Sequence, residues 1–455
     1  MKILATKIHF GIKEKIKTIL KPLIYKIPNK YRYGKYYRDF YKNVDNFFNL
    51  SLEEKRKIQL KKIQEIVEYA YFNVPYYKEL LDKNNISYKI KSFEDFEKIP
   101  YLTKDIIRNN LEKLKSKEKV KSQKVTTGGT TGMPMEFYLD KNVSINETIF
   151  VDYYWNKFSN EYKNTSKVAV LRGFIPSNDK KFERIGNKLI MSSFKLLKSN
   201  TEEYLKVLED FNPDYLHVYP SSISLIAEYI LQNNMEVNLP NLKGIFSGSE
   251  TLTNYKKEEI EKAFKVKVSA IYGHSEQAVI AFNNIKNEDY TLDLLYGYTE
   301  LIVDGKNIIL NENKEGEIVV TSFWNKSMPF IRYKTGDNAI SSGNYDSLKK
   351  ISGRKSEYFI DKNSNKIIFT CSDEPFWNCK EKVDAYQYVQ NEVGRCQLKM
   401  VKFKKFLLTE NDEKEIKNEL KRLYPNIEFY ISYVENIERT KRGKYKYLVQ
   451  NIKEV

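Results

Sequence analysis

The sequence predicts an α/β protein, with a large N-terminal domain of parallel-rich βα sheets and a small α+β C-terminal domain. Two observations predict it. Between Lys167 and Gly273, short β-branched and aromatic runs (KVAVLRGF, DYLHVY, LKGIFSG, VKVSAIYG) are separated by segments of helical periodicity, such as Ser221 to Gln232 and Asn254 to Phe264. That alternation implies βα units and mainly parallel pairing. Beyond Glu315 the pattern turns strand-rich, and after Gly353-Arg354 short strands surround one clear helix, Glu410 to Leu423. The expected divisions are 1–50 as a basic amphipathic N-terminal extension, 51–352 as the large domain, and 353–455 as the small C-terminal domain.

Taken in order, the first fifty residues carry twelve Lys/Arg against three Asp/Glu, out of a chain total of +17. Leu4, Ile8, Ile12, Ile16, Ile19, Leu20 and Leu23 recur at three- and four-residue steps among lysines, which predicts an amphipathic basic helix stopped near Pro22. Residues 1–24 could lie on an anionic membrane face. They could instead pack on their own domain with a solvated basic face. Ser51-Leu-Glu-Glu54 reads as a capping box opening a helix whose buried stripe is Leu60, Ile63, Ile66 and Val67. Asn73-Val74-Pro75 ends it, and Pro100-Tyr-Leu-Thr103 turns into a further helix.

Composition narrows the class. The 41% hydrophobic and 30% charged content is that of a globular protein. Three cysteines without CxxC spacing, among three histidines, argue against a zinc site or a disulfide framework and suit a reducing cytosol. No apolar run approaches a spanning helix, and the charges interspersed in MKILATKIHFGIKEK do not suit a secretory signal. No nucleic-acid partner is expected; the location expected is cytoplasmic, with peripheral membrane contact left open.

The chemistry gathers in glycine-containing turns. In αβ sheets, ligands bind where loops leave the carboxyl ends of strands. Three such turns occur here: Ser247-Gly248-Ser249-Glu250, Tyr272-Gly273-His274-Ser275-Glu276, and VTTGGTTGMP, if Lys121 to Val125 is a strand. In the last, Gly128, Gly129 and Gly132 let the backbone approach a ligand with its N–H groups free, while Thr127, Thr130 and Thr131 add hydroxyl donors. That set suits phosphate oxygens, although a polar hairpin turn would use the same residues. It is not a Walker A loop, since no GK[ST] follows.

The ordered series TTGGTTGMP, GSETL, YGHSE, PFIRYKTGD, ISGR and RTKRGK resembles the core motifs of the adenylate-forming enzymes. Together with NVPYYKELL and IPYLTKDIIRNN it is most similar to the branch holding phenylacetate–CoA ligase and the CapK-type proteins of capsule biosynthesis. The resemblance runs from about residue 60 to the C-terminus. It implies a loop over Thr127–Gly132 that wraps the ATP phosphates, with Thr130 a catalytic donor. Gly248, Ser249 and Glu250 would edge the adenine pocket, and Tyr272 would stack on the base beside Gly273 and Ser275. Glu276 would hold Mg²⁺, Asp337 the ribose hydroxyls and Arg354 the nucleotide, and Lys444 would be the mobile lysine of the small domain.

These residue types also suit the chemistry. A carboxylate attacking the α-phosphorus of ATP needs positioning and neutralisation more than a strong base. Each residue has a plainer reading. Asp337 could be a turn residue, Glu276 a helix-terminal carboxylate, and Lys444 part of a basic tail. Arg332 is placed in the substrate pocket, with a structural ion pair as its alternative; His274 either lines the acyl pocket or is simply packed. Glu276 is further expected to be an exposed carboxylate whose removal spares the fold.

Two departures stand out. Met133 occupies the place where many relatives carry a lysine, and Ser356 the hinge position where Asp or Lys is common. The expected function is therefore an ATP- and Mg²⁺-dependent ligase that forms an acyl-AMP from a small carboxylic acid. The acyl group would pass to CoA or to an amine or hydroxyl on a sugar or amino compound, in cell-surface polysaccharide synthesis. The alternative is a non-catalytic basic protein that binds membranes or polyanions and retains the fold.

Overall fold

A computed structural model describes residues 22–126, 135–173, 176, 180–250, 252–283, 289–354, 358–369, 374–376, 378–379, 382–402, 407–438 and 446–452. Two helices lead into the large domain, α1 (Gly34–Phe48) and α2 (Leu52–Asn73). The capping box is formed as read: Glu54 N donates to Ser51 Oγ, and Ser51 N donates to Glu54 Oε2 at 2.9 Å. Ile63, Ile66, Val67 and Ala70 are buried along α2.

Strands β1 (Ser122–Thr126) and β2 (Glu136–Asp140) pair antiparallel, with Thr126 opposite Glu136, so the Gly/Thr segment links two paired strands. Thr127, Gly128, Gly129, Thr130, Thr131 and Gly132 themselves lie outside the described residues. Helix α3 (Val143–Phe158) follows.

The βα region then forms as the alternation predicts. It comprises β3 (Val168–Arg172), β4 (Phe182–Ile185), β5 (Lys188–Ser192), α4 (Thr201–Phe211), β6 (Tyr215–Val218), α5 (Pro220–Gln232), β7 (Gly244–Gly248), α6 (Asn254–Phe264) and β8 (Val268–Gly273). Pro220 occupies the first turn of α5, where no N–H is missed. Asn212, at φ 46°, closes α4 in the left-handed conformation that asparagine tolerates.

Chain order continues with β9 (Ile280–Asn283), β10 (Tyr290–Leu292), β11 (Gly297–Val303), β12 (Lys306–Asn307), β13 (Glu315–Ser322), β14 (Tyr333–Ser341) and β15 (Ser347–Arg354). All thirteen strands from β3 to β15 form one sheet, in the order β12-β11-β13-β14-β15-β10-β9-β8-β7-β6-β3-β5-β4. The expectation of mainly parallel pairing holds for β5-β3-β6-β7-β8 and not beyond. From β8 onward the pairs are antiparallel, most of them joined by short connections without a crossover helix.

The two halves of the sheet have separate cores. Phe40 and Val44 of α1 and Ile63 and Val67 of α2 pack with Leu301, Val320 and Tyr333 of the antiparallel half. Tyr37, Phe40, Val44 and Phe47, within the 1–50 extension, thus pack in the large domain's core. Leu205, Leu208, Ile223, Ile226, Ile260 and their neighbours cover the parallel half.

The small domain has its own apolar core around Phe359, Tyr388, Leu398, Ile416 and Leu420. A hairpin, β16 (Tyr358–Ile360) and β17 (Lys366–Ile368), precedes a sheet of order β20-β19-β18-β21. Its members are β18 (Val383–Glu392), β19 (Arg395–Lys402), β20 (Glu428–Tyr433) and β21 (Leu448–Gln450), with α7 (Glu410–Leu423) between β19 and β20. The small domain touches the large one through Lys198, whose backbone N–H donates to Asp384 Oδ1 at 3.0 Å and whose ammonium donates to Val383 O at 3.1 Å. Lys256 Nζ stands 3.3 Å from the Tyr447 hydroxyl.

Candidate functional site

The carboxyl ends of β7 and β8 lie side by side in the sheet, and with the start of β14 they supply most of the described site residues. Gly248 ends β7 so close to β8 that a Cβ there would stand 3.1 Å from the Ile271 carbonyl oxygen. The next residue, Ser249, has φ 71°, a left-handed conformation unusual for a side-chain-bearing residue and frequent at functional turns. Glu250 follows; its Oε2 accepts a 3.0 Å hydrogen bond from Ser221 N in the first turn of α5. Its Oε1 is buried and without a partner among the described residues.

The turn after β8 holds the acid. Glu276 is 6% exposed, so the expectation of an exposed carboxylate is corrected. Tyr333, the first residue of β14, donates to Glu276 Oε1 at 2.8 Å, and His274 Nδ1 stands 3.2 Å from Oε2. Burial works against the ionised form, but the adjacent imidazole and these hydrogen bonds win and hold the carboxyl at about 2. The turn sits tightly on the sheet because Gly297 of β11 carries no side chain; a Cβ there would stand 2.3 Å from the Ala278 carbonyl oxygen. His274 Nε2 is buried without a partner among the described residues. His274 also lies within electrostatic reach of Glu147 on α3, whose carboxyl is pushed up by burial and accepts a hydrogen bond from Tyr296.

Tyr272 and Asp337 meet across the sheet: the phenol donates to Asp337 Oδ2 at 2.9 Å. Burial and the neighbouring Asp337 raise the phenol's pKa well above its ordinary value, so it stays a donor. Gly336 takes φ 78° to make the bend, and Asp337 N donates to Thr335 Oγ1 at 3.0 Å. The ladder sets Arg354 of β15 directly opposite Asp337. Gly273 ends β8, and Ser275 lies between His274 and Glu276 in the same turn. Lys444 and Ser356 lie outside the described residues.

Arg332 does not join this group. Its Nε donates to Glu300 Oε2 at 3.0 Å and its Nη2 to Glu300 Oε1 at 2.7 Å, a bidentate pair with Arg332 4% exposed and Glu300 fully buried. Its Nη1 donates to the Glu97 and Ile99 carbonyls, and the Tyr101 ring covers it 4.4 Å away. The substrate-pocket expectation is replaced by a structural ion pair; burial beside Glu300 commits the guanidinium.

Two residues that the sequence reading passed over sit on the same edge. Arg172 ends β3, and His217 lies near the end of β6. Arg172 Nη1 is 2.5 Å from His217 Nε2, and Nη2 donates to Ser249 Oγ at 2.6 Å. The signal was present: both are polar residues at the exits of otherwise apolar strands, where ligands of parallel sheets bind. Tyr333 could also have been found, because it lies inside the PFIRYKTGD motif.

A phosphate-bound Mg²⁺ needs one or two carboxylates from the protein, its other positions being filled by water and phosphate. Ionised Glu276 fits that demand as a single ligand. Among the described residues no cluster of three or more acidic, histidine or cysteine side chains could hold a metal ion without a nucleotide. No helix among them is long and apolar enough to cross a membrane.

Comparison with known proteins agrees with this arrangement. Residues 359–451 match the family described as the CapK C-terminal domain. The chain is 29% identical to Protein CapK of Staphylococcus aureus, over 94% of this chain and 95% of that protein. It is 26% identical to the phenylacetate-coenzyme A ligase of Aromatoleum evansii, over 74% of this chain and 78% of the relative. Among solved structures, 2-hydroxyisobutyryl-CoA ligase in the postadenylation state with 2-HIB-AMP superposes with a TM-score of 0.64 at 16% identity, covering 88% of this chain and 90% of that one. An acyl acid amido synthetase in complex with 2,4-DB superposes with a TM-score of 0.55 at 15% identity, covering 83% and 86%. The chain is thus a homologue of CapK and of the phenylacetate–CoA ligases, with the fold of the adenylate-forming family.

Proposed function

We propose that the protein is an ATP-dependent ligase that activates a carboxylic acid as an acyl-adenylate and hands the acyl group to a nucleophile. One observation carries the reading: the end of β8 and the first half of β14 bring together a buried ionised carboxylate, Glu276, and a tyrosine–carboxylate pair, Tyr272–Asp337. Asp337 retains acceptor capacity for ribose hydroxyls, and Tyr272 offers a ring face for a base. Gly248, Ser249 and Glu250 are assigned to the adenine edge, with Gly273 and Ser275 alongside.

In the first step an oxygen of the acid attacks the α-phosphorus of ATP. The new P–O bond forms as the bond to the β-phosphate breaks, and pyrophosphate departs. Magnesium, when bound at Glu276, would offset charge on the phosphate oxygens. The protein's own contribution is placement and donors: the 127–132 segment for the phosphates, with Thr130 among its hydroxyls, and Lys444 for the α-phosphate and incoming carboxylate. Arg354, opposite Asp337 in the ladder, is assigned to the nucleotide.

In the second step a nucleophile attacks the acyl carbon and AMP leaves. CoA and amine acceptors both suit this fold, which a CoA ligase and an amido synthetase share. The acceptor is assigned as a sugar or amino compound in cell-surface polysaccharide assembly, on the motif resemblance to the CapK-type branch. Pyrophosphate release measured across a carboxylate library, with and without CoA, tests the reading. Acid-dependent release supports it, and the effect of CoA on turnover separates the acceptors.

A further inference from the structure

The chain enters the large domain through a stretch with two unlike faces. The side chains turned inward fall at every fourth position. Lys188 covers the Tyr25 ring at 4.7 Å, and Asn29 Nδ2 donates to Asp152 Oδ2 at 2.6 Å. Tyr33 packs against the core, and the Tyr37 hydroxyl donates to Asp152 Oδ2 at 2.7 Å. Asn29 N also donates to Asn164 Oδ1 at 3.2 Å. These contacts make residues 25–37 part of the folded body.

Midway between the inward positions stand Leu23, Ile27 and Tyr31, which are 59%, 43% and 67% exposed. The outward face of a docked segment is ordinarily polar. Here it presents three large apolar side chains within a short run of chain, and the positions beside them are basic. Lys26, Lys30, Arg32 and Arg38 are exposed, as is Lys35, which pairs with Asp39. Residues 22–38 carry five Lys/Arg and no Asp/Glu. Lys30 Nζ lies 5.2 Å from the Tyr31 ring centroid, so charge and ring belong to one patch.

Apolar side chains set among ammonium and guanidinium groups match a phospholipid surface. Leucine and isoleucine enter the boundary between headgroups and acyl chains, and tyrosine rests there with its hydroxyl in water. Each basic group is drawn to anionic headgroups, its stem lying along apolar surface. Residues 1–21 are poorly suited to cover this face, since their six lysines against one glutamate would bring like charge onto it. We propose that Leu23, Ile27 and Tyr31, with Lys26, Lys30 and Arg32, form an anchoring face for an anionic phospholipid membrane. The anchor is built into the folded large domain, and it does not depend on the ligase chemistry.

Flotation of the full chain with phosphatidylglycerol–phosphatidylcholine vesicles tests this, with phosphatidylcholine vesicles as the uncharged control. The protein should float with the anionic vesicles alone, and raised salt should release it. Replacing the three basic residues together (Lys26→Gln, Lys30→Gln, Arg32→Gln) should weaken binding about 100-fold. Replacing the three apolar ones together (Leu23→Ser, Ile27→Ser, Tyr31→Ser) should also weaken it. The melting temperature should hold in both, because all six side chains are exposed. As a second measurement, Tyr31→Trp should gain fluorescence quenched by brominated lipid in anionic vesicles, beyond any quenching of the wild type. Wild-type binding by either triple variant returns the membrane contact to residues 1–21 and overturns the proposal, as does an unquenched Tyr31→Trp variant. Absence of binding to anionic vesicles, or equal binding to uncharged ones, overturns it as well. Self-association that the apolar triple variant loses would then assign the face to a second copy of the chain.

Discussion

The Tyr333 hydroxyl donates a 2.8 Å hydrogen bond to Glu276, tying the first residue of β14 to the acid in the turn after β8. The bond makes Glu276 part of the fold as well as of the site, with consequences for pH. A carboxyl lowered from 4.5 to about 2 stabilises the folded state fully above its unfolded pKa, and the contribution is lost as pH falls through about 4.5 toward 2. It amounts to ~3 kcal/mol at ~1.4 kcal/mol per pKa unit. Glu276→Gln should cost up to that amount at neutral pH and flatten the acid limb of stability. Denaturant titrations from pH 2 to 7 measure it; an unchanged acid limb would show that Glu276 is not held in its ionised form.

Arg332→Met should be among the most damaging single substitutions. It leaves Glu300 buried and unpaired and strips two carbonyls of their donor, for a loss of about 3–5 kcal/mol. Replacing both partners with apolar residues should recover much of that, since no charge is then stranded. If the single variant melts like the wild type while losing nucleotide binding, Arg332 belongs to the site after all.

Much of this was legible in the sequence because local patterns carried it. The capping box at Ser51, helices 254–264 and 410–423, and the apolar strand runs needed no tertiary information. The antiparallel half of the sheet was less visible, because direction depends on connections rather than on residue type. Arg332 and Glu276 were misjudged for one reason. Burial is set by which elements pack over a residue, and neither Glu300 nor Tyr333 announces itself as a partner 32 or 57 residues away. The lysine-rich start hid the aromatic stripe of α1, whose Tyr37, Phe40, Val44 and Phe47 are buried.

The N-terminal segment calls for a specific truncation. A Cβ on Gly186 would stand 2.6 Å from the Pro22 carbonyl oxygen, and Lys188 reaches over the Tyr25 ring at 4.7 Å, so the chain is docked from residue 22 onward. Deleting residues 1–21 should reduce binding to anionic liposomes while melting and adenylation stay unchanged. Equal liposome binding by both forms would assign the basic segment to packing instead.

Lys444→Ala should separate the half-reactions. If its ammonium offsets charge at the α-phosphate, acyl-AMP formation should fall by ~3 kcal/mol or more, more than 100-fold in rate. Reaction of a supplied acyl-AMP with the acceptor should be largely retained. Equal loss in both steps would indicate a general defect of the small domain, and no loss in either would return RTKRGK to a solvated basic tail.

The central claim is adenylate chemistry, and the nucleotide product tests it most directly. Protein incubated with ATP, magnesium and an accepted acid, without any acceptor, should yield pyrophosphate and an acyl-AMP detectable by mass spectrometry, with Asp337→Ala and Glu276→Gln forming little. Formation of ADP and phosphate in place of AMP and pyrophosphate, or nucleotide turnover indifferent to the acid, would contradict the account.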